Sequence, residues 1–183
     1  MNIQTNKLKI HVGCGRKFYD GWFNCDKNLL DISNYESWIS NNIAENSVQR
    51  ILAEHVFEHL SNEDRHKTIK NFYYFLGNNG FARIAVPDGF HPDKEYIQQV
   101  DVGGTGRSAY DHKFLYNYKT LTELFVSYGF TYDLLEFFDE SHIFHQKEWS
   151  SDDGFIKRSK NFDRRNKKNQ LKYTSLIIDF YKG

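Results

Sequence analysis

Cysteine and proline are scarce in this sequence. Two of each occur among its 183 residues. Two cysteines cannot build a disulfide framework, and no Cys-x-x-Cys pair is present to hold a metal ion. We therefore predict that Cys14 and Cys25 are reduced, buried side chains of a protein from a reducing compartment.

An excess of one charge and long apolar runs are also missing. Lys plus Arg and Asp plus Glu are equal at 24 each, so no global field favours nucleic acid or an anionic membrane. No apolar run is long enough to cross a bilayer, and the first residues do not resemble a secretion signal. These absences predict a cytoplasmic protein with no nucleic-acid or membrane partner, folded as one domain over residues 1–183.

Aromatic residues, by contrast, are abundant, with 16 Phe, 12 Tyr and 3 Trp. Composition alone fits either an aromatic core or an aromatic pocket. The one strong local charge asymmetry is a basic run over residues 157–172, which holds Arg158, Lys160, Arg164, Arg165, Lys167 and Lys168. We favour a solvated loop for this run over a phosphate or nucleic-acid patch.

Strand and helix patterns alternate along the chain, which predicts a parallel sheet covered by helices. Ser61 and Asp64 form a capping-box pattern that opens a helix ending near Gly77. The last two strands have no helix between them and must be antiparallel. Strands are predicted over 7–12, 22–26, 48–53, 81–86, 130–138 and 173–180, with a helix between the second and third strands and further helices over 61–76 and 118–128.

The most informative pattern lies in the first 26 residues. The first predicted strand runs directly into Gly13-Cys14-Gly15, and the second ends at Asp26. Glycines let a strand turn sharply and bring backbone N–H groups close to a ligand. An acid at the tip of the next strand can accept hydrogen bonds from both hydroxyls of a ribose. These residues predict a nucleoside site at the carboxyl edge of an open α/β sheet.

With these residues in view, the chain resembles the class I S-adenosylmethionine-dependent methyltransferases, and among them the bacterial predicted methyltransferases of the type-11-like group. The matching stretches occur in order along nearly the whole chain: KIHVGCGRKFYDGWFNCD, SVQRILAEHVFEHL, GNNGFARIAVPD and DHKFLYNYKTLTELFVSYGF. The resemblance implies a Rossmann-like α/β fold with a mostly parallel seven-stranded sheet, an antiparallel last strand and helices on both faces. It also implies an enzyme that uses S-adenosylmethionine.

The resemblance further implies which residues contact that cofactor. The glycine turn passes the methionine part, Asp26 binds the ribose hydroxyls, and the end of the strand 48–53 flanks the sulfonium. An apolar residue before that strand lies near adenine. The cofactor-binding residues expected in this way are His11, Gly13, Cys14, Gly15, Asp26, Ile43, Ala53, Glu54 and His55.

Four departures from the family pattern bear on cofactor binding, and one of them is that the usual acid near the adenine amine has no clear counterpart among Asn41, Asn42 and Glu45. His11 replaces the usual acid two residues before the first glycine, and the third glycine of the fingerprint is absent. The stretch between Gly15 and Asp26 is too short for a full first helix. A protein that keeps the fold and binds a ligand without catalysis therefore stays open as an alternative.

Two polar segments, at about 89–113 and 139–170, interrupt the pattern and are expected to form an acceptor wall or lid. The first follows a strand whose carboxyl end would face the sulfonium, and its catalytic candidates are Asp88, His91, Tyr110, Asp111 and His112. We favour His112 as a base, since a histidine of near-neutral pKa takes up a proton at physiological pH. The second segment carries His142, His145, Trp149, Asp152 and Asp153.

Aromatic rings and carboxylates of this kind suit a sugar, because flat rings stack on sugar faces and carboxylates hold hydroxyls. We therefore expect a small-molecule acceptor, namely a sugar or nucleotide sugar. The resemblance also implies an acceptor of this kind, with a role in surface-polysaccharide biosynthesis. Methyl transfer from a sulfonium needs alignment and exclusion of water, so no metal is required.

Three other site types fit parts of the same sequence. The letters of His55-Val56-Phe57-Glu58-His59 also spell HxxEH, which on a helix would place two histidines on one face for a zinc hydrolase. The glycine turn satisfies part of a nicotinamide-dinucleotide fingerprint, although Phe18 stands where a glycine is expected. Residues 103–106 resemble a phosphate loop without the following Lys-Ser/Thr, and we favour a flexible loop there.

Overall fold

One seven-stranded sheet organises the computed structural model, which describes residues 8–167 and 170–183. Lys7 of the first predicted strand and Lys168 of the basic run lie outside these ranges. The strands are β1 Leu8–Val12, β2 Phe23–Cys25, β3 Val48–Glu54, β4 Leu76–Pro87, β5 Phe130–Phe138, β6 Phe144–Gln146 and β7 Ser175–Lys182. The α-helices are α1 Tyr35–Ser40, α2 Asn62–Phe75, α3 Lys94–Val100 and α4 Tyr118–Val126.

The strand order β2-β1-β3-β4-β7-β5-β6 creates a ligand crevice. Strands β1 to β4 run parallel to one another, whereas β7 is antiparallel to both β4 and β5, and β6 is antiparallel to β5. The predicted mostly parallel sheet with an antiparallel last strand is therefore confirmed. After β1 the chain adds β2 on one side and β3 on the other. Ligands of open α/β sheets bind at such a switch point, beyond the carboxyl ends of the strands.

The main core lies between one face of the sheet and α1, α2 and α4. Trp38 of α1 is fully buried and stacks on Phe75 of α2 with ring centroids 4.6 Å apart. Phe125 of α4 stacks on Phe180 of β7 at 3.8 Å. Aromatic side chains bury large areas and gain further from such offset contacts. Much of the aromatic content of the chain therefore belongs to its core.

The opposite face of the sheet differs from the prediction of helices on both faces. Its apolar cluster, formed around Leu52, Ala85, Leu135 and Ile177, is covered by Tyr19, Trp22, Trp149 and Ile156, all from irregular chain. The connection from β1 to β2 spans residues 13–22 and is too short to form a covering helix with its turns. Side chains of this connection and of the segment after β6 cover the face instead.

The start of β4 also differs from the prediction. Strand β4 begins directly after α2, so the expected turn at 77–80 is extended chain. A Cβ on Gly77 would lie 2.8 Å from the Asn46 carbonyl oxygen, and one on Gly80 would lie 2.7 Å from that of Val48. Glycine at these two positions therefore allows the backbone of β4 to lie close to the carbonyl groups of Asn46 and Val48. Helix α3 and strand β6 were not predicted, and they lie inside the two polar segments.

The first part of the second polar segment, up to Asp153, lies against the second face of the sheet. Trp149 packs against the apolar cluster on that face. Asp153 forms an ion pair with Arg50 of β3, and the Lys9 ammonium of β1 donates a hydrogen bond to the Asp152 carbonyl. These contacts lie toward the amino ends of β1 and β3, away from the crevice. Within the described ranges, no helix is both long and apolar enough to cross a membrane.

Candidate cofactor and acceptor sites

A cavity of about 330 Å³ opens at the carboxyl edge of the sheet, at the switch point between β1 and β3. Its walls come from the ends of β1 and β2 and from the segments that follow β2 and β3. The lining residues are Val12, Gly13, Asp26, Lys27, Leu30, Asp31, Ile32, Ser33, His55, Val56, His59, Leu60, Asp64 and Asp111. A larger, shallower cavity of about 680 Å³ lies elsewhere, between α1 and α2.

The glycine turn forms one wall of this cavity. Gly13 and Gly15 have φ angles of +62° and +55°, a region that side-chain-bearing residues seldom adopt. A Cβ on Gly13 would lie 2.5 Å from a methyl group of Val56, so glycine also permits the close approach of the two loops. The Gly15 N–H donates to both carboxylate oxygens of Asp26, at 3.2 and 3.1 Å. The turn and the acid are therefore held together as the sequence predicts.

Cys14 supports this turn without facing the cavity. It is buried, its N–H donates to the Cys25 carbonyl at 3.1 Å, and its thiol lies 4.0 Å from Asp26. Burial raises the pKa of Cys14 and raises that of Cys25 to about 12. Both cysteines therefore remain neutral thiols, and Cys14 acts on the site by fixing the turn.

The apolar part of the cavity comes from Leu30, Ile32 and Leu60. These residues were not predicted from the sequence, although the apolar-acid-apolar pattern around Asp31, shortly after β2, is a signal of such a wall. Ile43, expected near adenine, instead packs in the main core, where its N–H donates to the Trp38 carbonyl. Its position under α1 keeps it out of the cavity, so that expectation is wrong.

Three other expected cofactor contacts also lie elsewhere, because strand alternation decides which face each side chain reaches. His11 points to the second face, stacks on Tyr19 at 4.6 Å and contacts the Asn24 amide oxygen. Ala53 is buried in the main core. Glu54 accepts hydrogen bonds from the Lys17 ammonium and from the Arg158 N–H, and so joins two loops.

His55 does reach the site, and its backbone is strained. Its φ is +58°, and its ring lies between the cofactor cavity and a second cavity. Its Nε2 lies 2.9 Å from the hydroxyl of Ser175 on β7. Burial, reinforced by the nearby Arg158, holds the pKa of His55 well below its usual value. The imidazole is therefore neutral at physiological pH.

Comparison with solved structures identifies the architecture. A SAM-dependent methyltransferase from Archaeoglobus fulgidus aligns over 96% of this chain and 86% of its own, with 13% identity and a TM-score of 0.51. One from Thermotoga maritima aligns over 97% and 74%, with 15% identity and a TM-score of 0.55. The chain has the class I methyltransferase fold.

A third structure, that of the YcgJ protein of Bacillus subtilis, is also similar to this chain. It covers 97% of this chain and 94% of its own, with 11% identity and a TM-score of 0.50. No protein-family model and no curated protein matches the sequence. At these identities the likeness is one of fold, and the narrower type-11-like group stays a prediction.

A second cavity, of about 190 Å³, adjoins the cofactor cavity of the methyltransferase fold at His55 and is called here the acceptor cavity. Three guanidinium groups and no carboxylate are among its lining groups. Its lining residues are His55, Pro87, Gln99, Val100, Gly106, Arg107, Ser108, Ala109, His112, Arg158, Arg165 and Tyr173. Arg165 is exposed and Arg158 is partly exposed, as in the predicted solvated loop, and both side chains also line this cavity.

Two of those arginines are held in place by neighbours. Arg165 donates to both carboxylate oxygens of Asp163, at 2.8 and 2.5 Å, and its guanidinium lies 3.4 Å from the ring centroid of Tyr173. Arg158 lies 3.8 Å from Glu54. A fixed guanidinium fork presents several donors at little further entropic cost.

The structure brings two of the five predicted catalytic residues to the cavities. His112 is buried and lines the acceptor cavity, with its Nδ1 at 2.6 Å from the Val100 carbonyl oxygen. Asp111 lines the cofactor cavity and lies 3.4 Å from the His59 ring. Tyr110 is 82% exposed and lines neither cavity.

Asp88 and His91 belong to the loop after β4 rather than to either cavity. The carboxylate of Asp88 is fully buried and accepts hydrogen bonds from the Phe90 and Phe138 N–H groups. Burial raises its pKa to about 6. His91 is also buried, accepts from the Asp93 N–H and stacks on Tyr96 at 4.0 Å. Both side chains order the loop, so the catalytic prediction is wrong for them.

The buried His91 makes stability depend on pH. Burial lowers the pKa of His91 to about 4. Between pH 6.5 and pH 4, His91 is therefore protonated in the unfolded chain but neutral in the folded chain. Folding stability therefore falls as the pH drops through this window, by up to about 3 kcal/mol from this one group. Urea unfolding at pH 7.0 and pH 4.5 measures the effect. We expect His91→Phe, which keeps the ring contact with Tyr96, to lose less stability across the window than the unchanged chain; equal losses would contradict the assignment.

The geometry that a zinc hydrolase needs at the HxxEH letters is not formed. His55 has left-handed backbone conformation, and Phe57–His59 form a single 3-10 turn rather than an α-helix. His55 faces Ser175 and His59 faces Asp111, so the two rings do not share one helical face. The alternative of a zinc-hydrolase site at the HxxEH letters is therefore not supported by this arrangement.

Proposed function

We propose that this protein transfers the methyl group of S-adenosylmethionine to an anionic small molecule. The observation that carries the proposal is the pairing of the Gly13 turn with the Asp26 carboxylate at the switch point of a class I methyltransferase fold. The cofactor, when bound, supplies an electrophilic methyl group on sulfur and leaves as S-adenosylhomocysteine.

The cofactor cavity fits the parts of that molecule. Asp26 is exposed at the tip of β2 and can exchange the Gly15 N–H for the two ribose hydroxyls. Leu30, Ile32 and Leu60 offer an apolar wall for adenine. Gly13 lines the cavity without a side chain, so its backbone can come close to the methionine part.

The acceptor cavity favours an anion. Arg107, Arg158 and Arg165 line it, and guanidinium groups recognise phosphate and carboxylate by paired hydrogen bonds. Gln99 and Ser108 line the same cavity, and their side chains can form hydrogen bonds with sugar hydroxyls. A nucleotide sugar combines these features, and we propose this class of acceptor, with a role in surface-polysaccharide biosynthesis.

The proposed chemistry needs alignment more than acid–base catalysis. His55 lies between the two cavities, and burial keeps its imidazole neutral. Placing the acceptor nucleophile in line with the methyl group and excluding water supply much of the rate enhancement of such a displacement.

An acceptor screen tests the activity. Release of S-adenosylhomocysteine would be measured with a panel of nucleoside-diphosphate sugars, sugar phosphates and the matching neutral sugars. We expect turnover with a phosphorylated member and none with its neutral counterpart. A chain that binds S-adenosylmethionine yet releases no product with any member of the panel would favour a binding protein that has kept only the fold.

The arginines that line the acceptor cavity lead to a prediction about the KM for the acceptor. Arg107→Gln is expected to raise the KM for the anionic acceptor about tenfold, the value of one lost charge-assisted contact, with little change in kcat. Arg164→Gln is the matched control, because Arg164 is also exposed and does not line the cavity. Equal effects of the two variants on KM would contradict recognition of the anion by this cavity.

A further inference from the structure

A buried cluster of ligand-type side chains lies between the two cavities. Glu58, His59 and His112 each offer one atom such that these atoms lie within 4.8 Å of one another. The chain brings them together through the backbone: the Lys113 and Phe114 N–H groups both donate to the Glu58 carbonyl, at 2.6 and 3.4 Å. The His112 segment is thereby fixed against the 3-10 turn Phe57–His59.

The Glu58 carboxylate is the unexplained group in this cluster. It is fully buried, and neither of its oxygens accepts a hydrogen bond from any residue that the structure describes. The His55 Nδ1 lies 3.0 Å from one oxygen but outside hydrogen-bonding geometry. Burying a carboxylate without partners is costly, so such a group points to a cation or proton that completes it.

The histidines are arranged to supply further ligands. The His112 Nδ1 is 2.6 Å from the Val100 carbonyl, so it carries the hydrogen and leaves a lone pair on Nε2. This is the backbone contact that commonly orients a metal-binding histidine from its far side. The His59 Nδ1 is also buried without a hydrogen bond inside the described ranges, 3.4 Å from Asp111.

We propose that Glu58, His59 and His112 bind one divalent first-row transition-metal ion. Two imidazoles and one carboxylate match the ligand preferences of such ions, and the ion would supply the positive charge that the buried carboxylate lacks. Metal–ligand bonds of about 2.0–2.2 Å require the three ligand atoms to draw slightly closer together than they lie now. This set differs from the HxxEH letters, because His112 replaces His55.

The position of the site indicates its use, and this step rests on the proposed function. His59 lines the cofactor cavity and His112 lines the acceptor cavity, so the ion would lie beside the acceptor. A divalent ion lowers the pKa of a hydroxyl that it contacts. The hydroxyl proton would leave to water, the oxygen lone pair would form the new bond to the methyl carbon, and the electrons of the broken carbon–sulfur bond would stay on sulfur.

Metal binding can be tested without cofactor or acceptor. Chelator-treated protein would be titrated calorimetrically with Zn²⁺ and Mn²⁺, and with Co²⁺ while the visible absorption of a coordinated ion is followed. We expect one ion per chain, with affinity lowered at least a hundredfold in Glu58→Gln and in His112→Ala. His145→Ala is the control, because His145 is an exposed histidine paired with Asp139, and its affinity should equal that of the unchanged chain.

The variants must remain folded for this comparison, so thermal melting of each is measured first, and His59→Gln replaces any variant that unfolds. Absence of stoichiometric binding by the unchanged chain for all three ions would overturn the proposal. Equal affinities in the control and in the folded ligand variants would overturn it too. Because the titration contains no S-adenosylmethionine, failure of the metal site is separate from failure of the proposed methyl transfer.

Discussion

Replacing Arg83 by methionine is expected to lower the free energy of unfolding by about 3–5 kcal/mol, the usual cost of removing one partner of a buried ion pair. Arg83 lies in the middle of β4 and is 2% exposed. It donates to both carboxylate oxygens of Asp179 on β7, each at 2.8 Å. Without it, Asp179 would be a buried, uncompensated carboxylate.

The same guanidinium also holds the irregular chain on the second face of the sheet. It donates to the carbonyls of Ser150 and Gly154, at 2.7 and 2.9 Å. Burial raises the pKa of Asp179 even with Arg83 beside it, which shows how strongly the site disfavours an unpaired charge. The loss of Arg83 is therefore expected to loosen this covering segment as well as the sheet.

Urea unfolding with a matched control measures this effect. Lys147→Gln breaks an exposed ion pair with Asp133 and is expected to change stability very little, since exposed pairs contribute little. The double variant Arg83→Met with Asp179→Leu should recover much of the loss, because it leaves no unpaired charge. Equal stability of Arg83→Met and the unchanged chain would show that the pair does not hold the covering segment.

Asp26→Ala is expected to weaken binding of S-adenosylmethionine at least a hundredfold. The carboxylate would accept two charge-assisted hydrogen bonds from the ribose, and each such bond contributes about 1.5–3 kcal/mol. Asp20→Ala is the control, because Asp20 is exposed in the same 13–22 connection and does not line the cavity. Calorimetric titration of both variants measures the difference.

Asp26 also accepts from the Gly15 N–H, so its removal could alter the turn itself. Thermal melting of Asp26→Ala distinguishes a change in the turn from the loss of a ligand contact. If the variant melts close to the temperature of the control but has lost affinity, the Asp26 carboxylate contacts the ligand directly. Unchanged affinity in Asp26→Ala would show that the ribose hydroxyls bind elsewhere.

Features encoded by neighbouring residues could be predicted from the sequence. Helix α2 was expected because Ser61 begins a capping pattern, and its side chain does accept from the Asp64 N–H. The glycine turn and the acid at the end of β2 were expected because turn chemistry and strand length are local. Their contact follows from parallel strands ending at one edge of the sheet.

The failed site predictions share a long-range cause. Asp88 follows a strand as a catalytic acid would. However, the backbone N–H of Phe138, fifty residues away, donates a hydrogen bond to one of its carboxylate oxygens. Glu54 lies at the end of β3, but strand alternation turns it to the second face, where Arg158 contacts it. Periodicity shows that a residue is buried or exposed, but not which distant group meets it.

The acceptor cavity could not be predicted for the same reason. Arg158 and Arg165 belong to a basic run whose composition is typical of a solvated loop, and its path back to β7 places them beside His112. The Ser175 N–H bond to the Arg158 carbonyl fixes that path. Such a pairing depends on the folded topology and leaves no local pattern in the sequence.

Calorimetric titration of the unchanged chain with S-adenosylmethionine and S-adenosylhomocysteine tests the central claim most directly, with NAD⁺ as the comparison ligand. We predict saturable binding of one molecule of each of the first two per chain and no binding of NAD⁺. No binding of either sulfur ligand at millimolar concentration would contradict the account, and the cavity between β1 and β3 would then serve another molecule.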